Sequence, residues 1–296
     1  MLKYIIFAII AAAIGFTVWF YSWTGPQQLN FVDRWYPGSS ESASTAETEI
    51  SYGEDERQKL DIYMPSQAAK DGAKHKVLVF FHGGAWRDGE RAGYEFLGKA
   101  FAARGLVTVI ADYRKYPKVK FPAFVEDTAS ALAWVHKNIS DHKGDPEQIF
   151  AMGHSAGAHI SMMAGLDRQW LGREGLDTSI IKGVIALAGP FDFLPFDEGS
   201  SSQKALGDWP RPKETQPISY VRRDAPPLLL LAGDKDKVVN PRNSKRLAAA
   251  MQDVEGQAEI KIYPGVDHAD IVMAISRPFR GKAPVLEDVT AFISAN

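Results

Sequence analysis

The stretch QIFAMGHSAGAHISMMAG, residues 148 to 165, passes from a short apolar run through a glycine-flanked serine into a helix-like pattern. At its centre Gly153, His154, Ser155, Ala156 and Gly157 fit the spacing G-x-S-x-G. That spacing has chemical meaning only where a strand turns sharply into a helix, because the turn lifts the hydroxyl above the sheet. Here the run IFAM precedes the serine and AGAHISMMAG follows it, so the context is met. Small residues are needed on both sides, since bulk at 153 or 157 would collide with the adjoining backbone. A serine at this place can also be a plain helix N-cap. If it is a nucleophile, the positive end of the helix dipole lies beside any anion formed on it.

Outward from this stretch, seven short apolar runs read as strands: KLDIYM (59–64), KVLVFF (76–81), LVTVIA (106–111), QIFAMG (148–153), GVIALA (183–188), PLLLLAG (227–233) and AEIKIY (258–263). Most are continuously apolar, as expected when both faces of a sheet are covered. Helical patterns fall between them at about 94–104, 122–139, 156–165, 241–254 and 284–294. In the second, Phe124, Thr128, Leu132 and Val135 trace one face at spacings of three and four. Alternating strand and helix predicts an α/β fold in one domain, with a mainly parallel central sheet and helices on both faces. Residues 190–226 break the rhythm with Phe, Pro, Ser, Gly and Trp, the signature of a lid or binding loop.

The 296 residues carry a net charge of -2, which lacks the basic excess that binding a phosphate backbone demands, so nucleic acid is not an expected partner. Zero cysteines exclude disulfides, thiolate metal sites and a cysteine nucleophile. Tyr4 to Trp23 holds no ionisable group except tyrosine phenols, and at about 1.5 Å per residue it is long enough for a hydrocarbon core of about 30 Å. Trp19, Tyr21 and Trp23 cluster at its far end, where amphipathic rings favour the membrane interface. The segment FYSWTG is bulky where a signal-peptide cleavage site would lie, so residues 1–25 are expected to be an uncleaved transmembrane anchor. Lys3 and the terminal amine before the span suggest that the catalytic domain is on the exported side. PGSSESASTAETE is too poor in apolar residues to offset its ordering entropy. Residues 26–49 therefore read as a linker, and residues 50–296 as the catalytic domain.

A hydroxyl becomes a nucleophile only when a base takes its proton and an acid orients that base. On an elbow of this kind the partners follow in the order Ser, acid, His. Of seven histidines only His159 and His268 follow the serine. His159 lies one helical turn beyond the elbow and reads as a packing residue, whereas His268 follows the last strand in YPGVDHAD. For the acid, LLLLAGDKDKVVNP offers Asp234 and Asp236; Asp236, past the turn, is better placed to reach an imidazole, and Asp234 to bond local backbone. Asp267 and Asp270, beside His268 in the same loop, are the weaker candidates, since adjacent residues rarely let a carboxylate face the ring nitrogen. FFHGGAW, residues 80–86, follows an early strand and supplies glycine amides for an oxygen that turns negative. Gly83 and Gly84 are the expected donors there, joined by Ala156; His82 reads as a loop organiser, and Trp86 and Phe191 as pocket walls. Neither an H-E-x-x-H metal site nor a G-x-G-x-x-G loop occurs, so no metal or cofactor is expected.

With these residues the chain resembles the α/β-hydrolase superfamily, and within it the carboxylesterases and lipases with an HGG oxyanion loop, over residues 50–294. YGEDERQKLDIYMP, HGGAWRDG, DYRKYP, FPAFVED, GHSAGAH and GPFDFLPF are similar to the bacterial esterase family related to feruloyl esterases and kynurenine formamidases. The resemblance implies the α/β-hydrolase fold and metal-free hydrolysis of an ester or aryl formamide. It also implies a triad of Ser155, Asp236 and His268, with Gly83, Gly84 and Ala156 as oxyanion donors. HGGAW departs at Ala85 from the HGGG of many lipases. The expectation is a serine carboxylic-ester hydrolase acting on a small or medium acyl ester. Its rivals are an aryl formamidase and, from another class, a catalytically silent membrane-tethered binding protein.

Overall fold

The computed structural model describes residues 17, 20, 23–37, 45–69 and 73–296. An eight-stranded sheet runs in the order β1-β2-β4-β3-β5-β6-β7-β8. The strands are β1 (Thr45–Ser51), β2 (Lys59–Met64), β3 (His75–Phe81), β4 (Val107–Ala111), β5 (Gly144–His154), β6 (Ile181–Leu187), β7 (Leu228–Gly233) and β8 (Ala258–Tyr263). β1 and β2 pair antiparallel at one edge, β2 joins β4 antiparallel, and every later pairing is parallel. The helices are α1 (Gly25–Trp35), α2 (Glu95–Ala102), α3 (Ala123–Asn138), α4 (Ala156–Leu166), α5 (Arg168–Arg173), α6 (Ser201–Leu206), α7 (Arg242–Asp253), α8 (Asp270–Met273) and α9 (Val285–Ala295).

Side chains alternate along each strand, so the two faces of the sheet bury separate cores. Val77, Val79, Phe81, Val107, Val109 and Ala151 pack on one face with residues of α3, α4 and α7. Leu78, Phe80, Ile110, Phe150, Met152 and Ile185 pack on the other with residues of α2 and α9. After β3 the chain moves to β4 on one side and then returns to β5 on the other. The loops leaving the carboxyl ends of β3 and β5 therefore flank a topological switch point, where a parallel sheet opens a crevice.

Residues 26–49 are not simply a linker. α1 begins behind Thr24, whose amide donates to the Gln27 side chain at 2.9 Å, with Pro26 in the first turn. β1 pairs with β2 despite its polar sequence, because an edge strand is held by main-chain ladder bonds that need no apolar side chains; a bulge between Glu47 and Ile50 turns the Glu49 amide onto Asp61 at 2.9 Å. The sheet thus starts at Thr45, and α1 is docked on the protein through its contacts to residues 90–96 and Arg277. The expected membrane span, Tyr4 to Trp23, lies almost wholly outside the described residues. Among the described residues no helix is long and apolar enough to cross a membrane.

The irregular stretch 190–226 holds α6 and 3-10 turns at Pro212–Thr215 and Pro217–Tyr220. It is pinned from outside itself: Asn243 Oδ1 accepts the amides of Phe191 and Asp192, each at 3.0 Å. Within the stretch, Gln216 Oε1 accepts the amide of Phe193 at 2.9 Å.

Candidate active site

Ser155 stands between β5 and α4 with φ 54° and ψ -119°. A non-glycine residue in that region is strained and persists only when its surroundings over-determine it. The constraint comes from the two glycines: a Cβ on Gly153 would lie 2.2 Å from the Gly157 carbonyl carbon, and one on Gly157 would lie 2.0 Å from the Phe81 oxygen. Between residues 151 and 166 every side chain is buried except that of Ser155. The fold thus presents one hydroxyl from an otherwise enclosed segment.

Asp236 and His268 come together across 32 residues, with His268 Nδ1 2.7 Å from Asp236 Oδ2. The other carboxylate oxygen accepts the amides of Val238 and Val239, both at 2.8 Å, so the acid is fixed by the turn that follows β7. Burial alone would raise the Asp236 carboxyl, but the bond to His268 and the two amides outweigh it and hold it below the usual range. With Nδ1–H committed to Asp236, Nε2 of His268 keeps its lone pair. The rival acids are occupied elsewhere: Asp234 accepts the Gly265 amide at 2.7 Å, Asp267 caps Ala269 and Asp270, and Asp270 pairs with Lys282 at 2.6 Å.

His154, the unassigned x of the elbow, links the parts. Burial pushes its imidazole down to about 3, with the cationic form also opposed by His268, so the ring is neutral. Its Nε2 lies 2.9 Å from the main-chain oxygen of His268, and the two rings are 4.8 Å apart. A Cβ on Gly83 would meet its Nδ1 at 2.9 Å and the Ser155 Cβ at 3.2 Å. The residue before the serine therefore touches both the histidine loop and the glycine loop. G-x-S-x-G leaves this position free, so the sequence pattern gave no signal for it.

The glycine loop is held by His82, which is buried between the rings of Tyr113 and Tyr94 at 4.6 and 6.1 Å. Its Nδ1 bonds the Gly83 carbonyl at 2.7 Å and its Nε2 the Asp112 carboxylate at 3.0 Å. Asp112 also accepts the Arg91 amide and guanidinium, each at 2.8 Å, and Arg91 reaches on to Asp61 at 2.9 Å. Burial raises Asp112, yet His82, Lys115 and the Arg91 amide bring its carboxyl down to about 2. Both ring nitrogens thus have an oxygen partner, which fixes the ring in place.

Gly84, Ala85 and Trp86 follow with φ of 125°, 52° and 58°. Only glycine fits at 84, where a Cβ would stand 2.1 Å from the Asp88 carbonyl oxygen. The Gly83 amide faces the Tyr94 hydroxyl. Gly83 also packs close against His154 and Ser155. Gly84→Ala is expected to lower kcat by about 10² to 10³, the worth of one oxyanion donor, in a steady-state assay on p-nitrophenyl acetate; an unchanged kcat would show that this loop is not the oxyanion support.

Trp86 is almost wholly buried. Its indole N–H donates to His159 Nδ1 at 3.2 Å, and His159 Nε2 bonds the Thr215 oxygen at 2.8 Å. Burial pushes His159 down to about 4, so this helix histidine is a neutral bridge with a fixed tautomer, joining the glycine loop to the 190–226 stretch. Phe193 stacks on Trp86 at 6.1 Å and meets the His159 ring edge at 5.8 Å, with Phe196 beside it. Phe191 is not a pocket wall: it is wholly buried, its ring so near Gly189 that a Cβ there would lie 2.4 Å away. Asn243 turns residue 191 inward and leaves Phe193 on the half-buried side. Asp112, Tyr113 and Arg114 are structural, Arg114 forking onto Asp127 at 2.7 to 3.0 Å.

Residues 60–251 match the BD-FAE family. The chain belongs to the BD-FAE family. Isoprenylcysteine alpha-carbonyl methylesterase ICME of Arabidopsis thaliana is 32% identical over 83% of this BD-FAE chain and 61% of its own length. Esterase LipC of Mycobacterium tuberculosis is 33% identical over 74% of this chain and 58% of its own. The chain thus spans about three-fifths of the length of these curated relatives. Among solved structures, a truncated carbohydrate esterase from gut microbiota superposes with a TM-score of 0.75 at 22% identity, covering 88% of this chain and 99% of that one. Esterase 2 of Thermogutta terrifontis gives 0.70 at 24% identity, covering 88% and 97%. Both likenesses establish the fold.

Proposed function

We propose that this protein is a serine carboxylic-ester hydrolase working through an acyl-enzyme. In this reading Ser155 Oγ attacks the acyl carbonyl while His268 Nε2 takes its proton, and Asp236 stabilises the imidazolium that forms. The amides of Gly84 and Ala156 receive the oxygen that becomes negative. His268 then returns the proton to the leaving alcohol, water enters by the same route, and the acid product departs. The observation that carries the reading is the bond of 2.7 Å between His268 and an Asp236 already held by two amides, in a loop joined through His154 to a half-buried serine at a strained elbow. Relatives named as esterases and methylesterases support the same class. The rings of Trp86, Phe193 and Phe196 favour an apolar acyl group of small or medium size.

The test is a fluorophosphonate probe together with a panel of p-nitrophenyl esters of increasing acyl length, with N-formylkynurenine alongside. Labelling at Ser155 with turnover of the short and medium esters is the expected result. Faster turnover of the formamide would move the assignment to an aryl formamidase, and no labelling would make the protein a silent binding module. For its location, the apolar run Tyr4 to Trp23 supports a single-pass anchor with the catalytic domain on the exported side.

A further inference from the structure

α1 is built inside out. Four of its polar side chains, Gln27, Asn30, Asp33 and Arg34, reach the protein, whereas Gln28 donates to the Phe20 and Trp23 main-chain oxygens, each at 3.2 Å. Gln27 donates to Glu90 at 2.5 Å, and Asn30 donates to the Ala92 oxygen at 2.7 Å while accepting the Phe96 amide at 3.0 Å. Asp33 is buried against the Arg277 amide at 2.6 Å and its guanidinium at 3.3 Å, and Arg34 pairs with Glu95 at 2.7 Å. Leu29 is the one apolar residue of the helix that is buried. The opposite side carries Phe31, Val32 and Trp35, whose spacing puts them on one face, and Tyr36 follows as the extended residue that caps the helix. Val32 is 37% exposed, Trp35 73% and Tyr36 44%; among the described residues Val238, at 72%, is the other large hydrophobic side chain so exposed.

A helix in water turns its apolar stripe to the core and its polar face outward. The reverse arrangement is stable where the medium outside the helix is itself apolar, and tryptophan and tyrosine favour the headgroup boundary in particular. The sequence says what that medium is. The uncharged run Tyr4 to Trp23 ends one residue before α1, and the rings of Phe20, Trp23, Phe31 and Trp35 meet in series at 5.7 to 6.4 Å. The rings of Phe20 and Trp23, the described residues at the end of that run, thus adjoin the outward face of the helix.

We propose that the face of α1 formed by Val32 and Trp35, with Tyr36 at its end, lies in the interfacial layer of the bilayer entered by residues 4–23, and so holds the catalytic domain in one orientation on the membrane. This rests on the anchor reading above. The occupant is lipid rather than a second copy of the chain, because the patch adjoins the membrane-entering segment.

The absence of cysteine makes the test clean. Val32→Cys, Trp35→Cys and Val238→Cys, each in the full chain, are labelled with a polarity-sensitive thiol fluorophore and reconstituted into phosphatidylcholine–phosphatidylglycerol vesicles. Labels at 32 and 35 are expected to shift to the blue and to be quenched by iodide about fivefold less than the label at 238. Equal quenching at 35 and 238 in chains that stay with the vesicles through an alkaline wash overturns the proposal and leaves the anchor standing. Chains released by the wash overturn both. Shielding at 35 that follows protein concentration rather than lipid assigns the patch to a second copy, and overturns it too.

Discussion

Ser155→Ala is expected to lower kcat for p-nitrophenyl acetate by about 10⁴- to 10⁶-fold, with circular dichroism and Tm unchanged. The size follows from the loss of the nucleophile in the proposed mechanism. The intact fold follows from the strained turn, which is set by Gly153 and Gly157 rather than by the hydroxyl. Asp236→Asn is the sharper companion. The amide oxygen can still accept from Val238 and Val239, so the loop persists, but an amide no longer favours the His268 tautomer that leaves Nε2 free or balances an imidazolium; kcat should fall by about 10⁴. Turnover surviving in Ser155→Ala, measured with contaminating hydrolases excluded by the fluorophosphonate probe, would sink the mechanism.

Acid should unfold this protein partly through two histidines. Burial pushes His154 down to about 3 and His159 to about 4, from an ordinary value of 6.5. Below that ordinary value the unfolded chain takes up both protons while the folded protein refuses them. The stability is therefore complete above about pH 6.5 and is lost as pH falls toward 4, at roughly 1 kcal/mol per pH unit for each ring. Asp61 works the other way: burial, then Asp112 and Glu95, push its carboxyl up to about 7, so it offsets about one histidine over the same range. The diagnostic is a difference. His159→Gln can still accept from Trp86 and donate to Thr215, and urea titrations between pH 6 and pH 4.5 should show a slope against pH smaller by about 1 kcal/mol per unit than in the parent. Equal slopes would mean that the bridge is not held neutral.

The central strands and the elbow were legible because their signals are local. KLDIYM and AEIKIY coincide with β2 and β8, and a glycine two residues to each side of Ser155 admits one tight turn. The parts that escaped are stabilised by distant partners. α1 depends on Glu90, Ala92, Phe96 and Arg277, and β1 on a ladder with β2 and on Arg91, which bonds Glu49. No window of polar residues announces such contacts. The exchange of Phe191 for Phe193 has the same origin, since it is decided by an asparagine more than 50 residues on. For the glycine loop, composition shows that a close approach occurs, whereas the φ of 125° at Gly84 and the Tyr94 hydroxyl beside Gly83 follow from contacts with distant residues.

The seat of α1 has a practical bearing on making a soluble enzyme. Glu90, the Phe96 amide and Arg277 all take partners from residues 27–33. A trimmed form beginning after Tyr36 would strip them and leave the Arg277 guanidinium without its buried aspartate. Because Arg91 lies within that same seat and holds Asp112, the damage would begin two contacts away from His82. A cut just ahead of Thr24 removes the greasy leader and keeps the clasp.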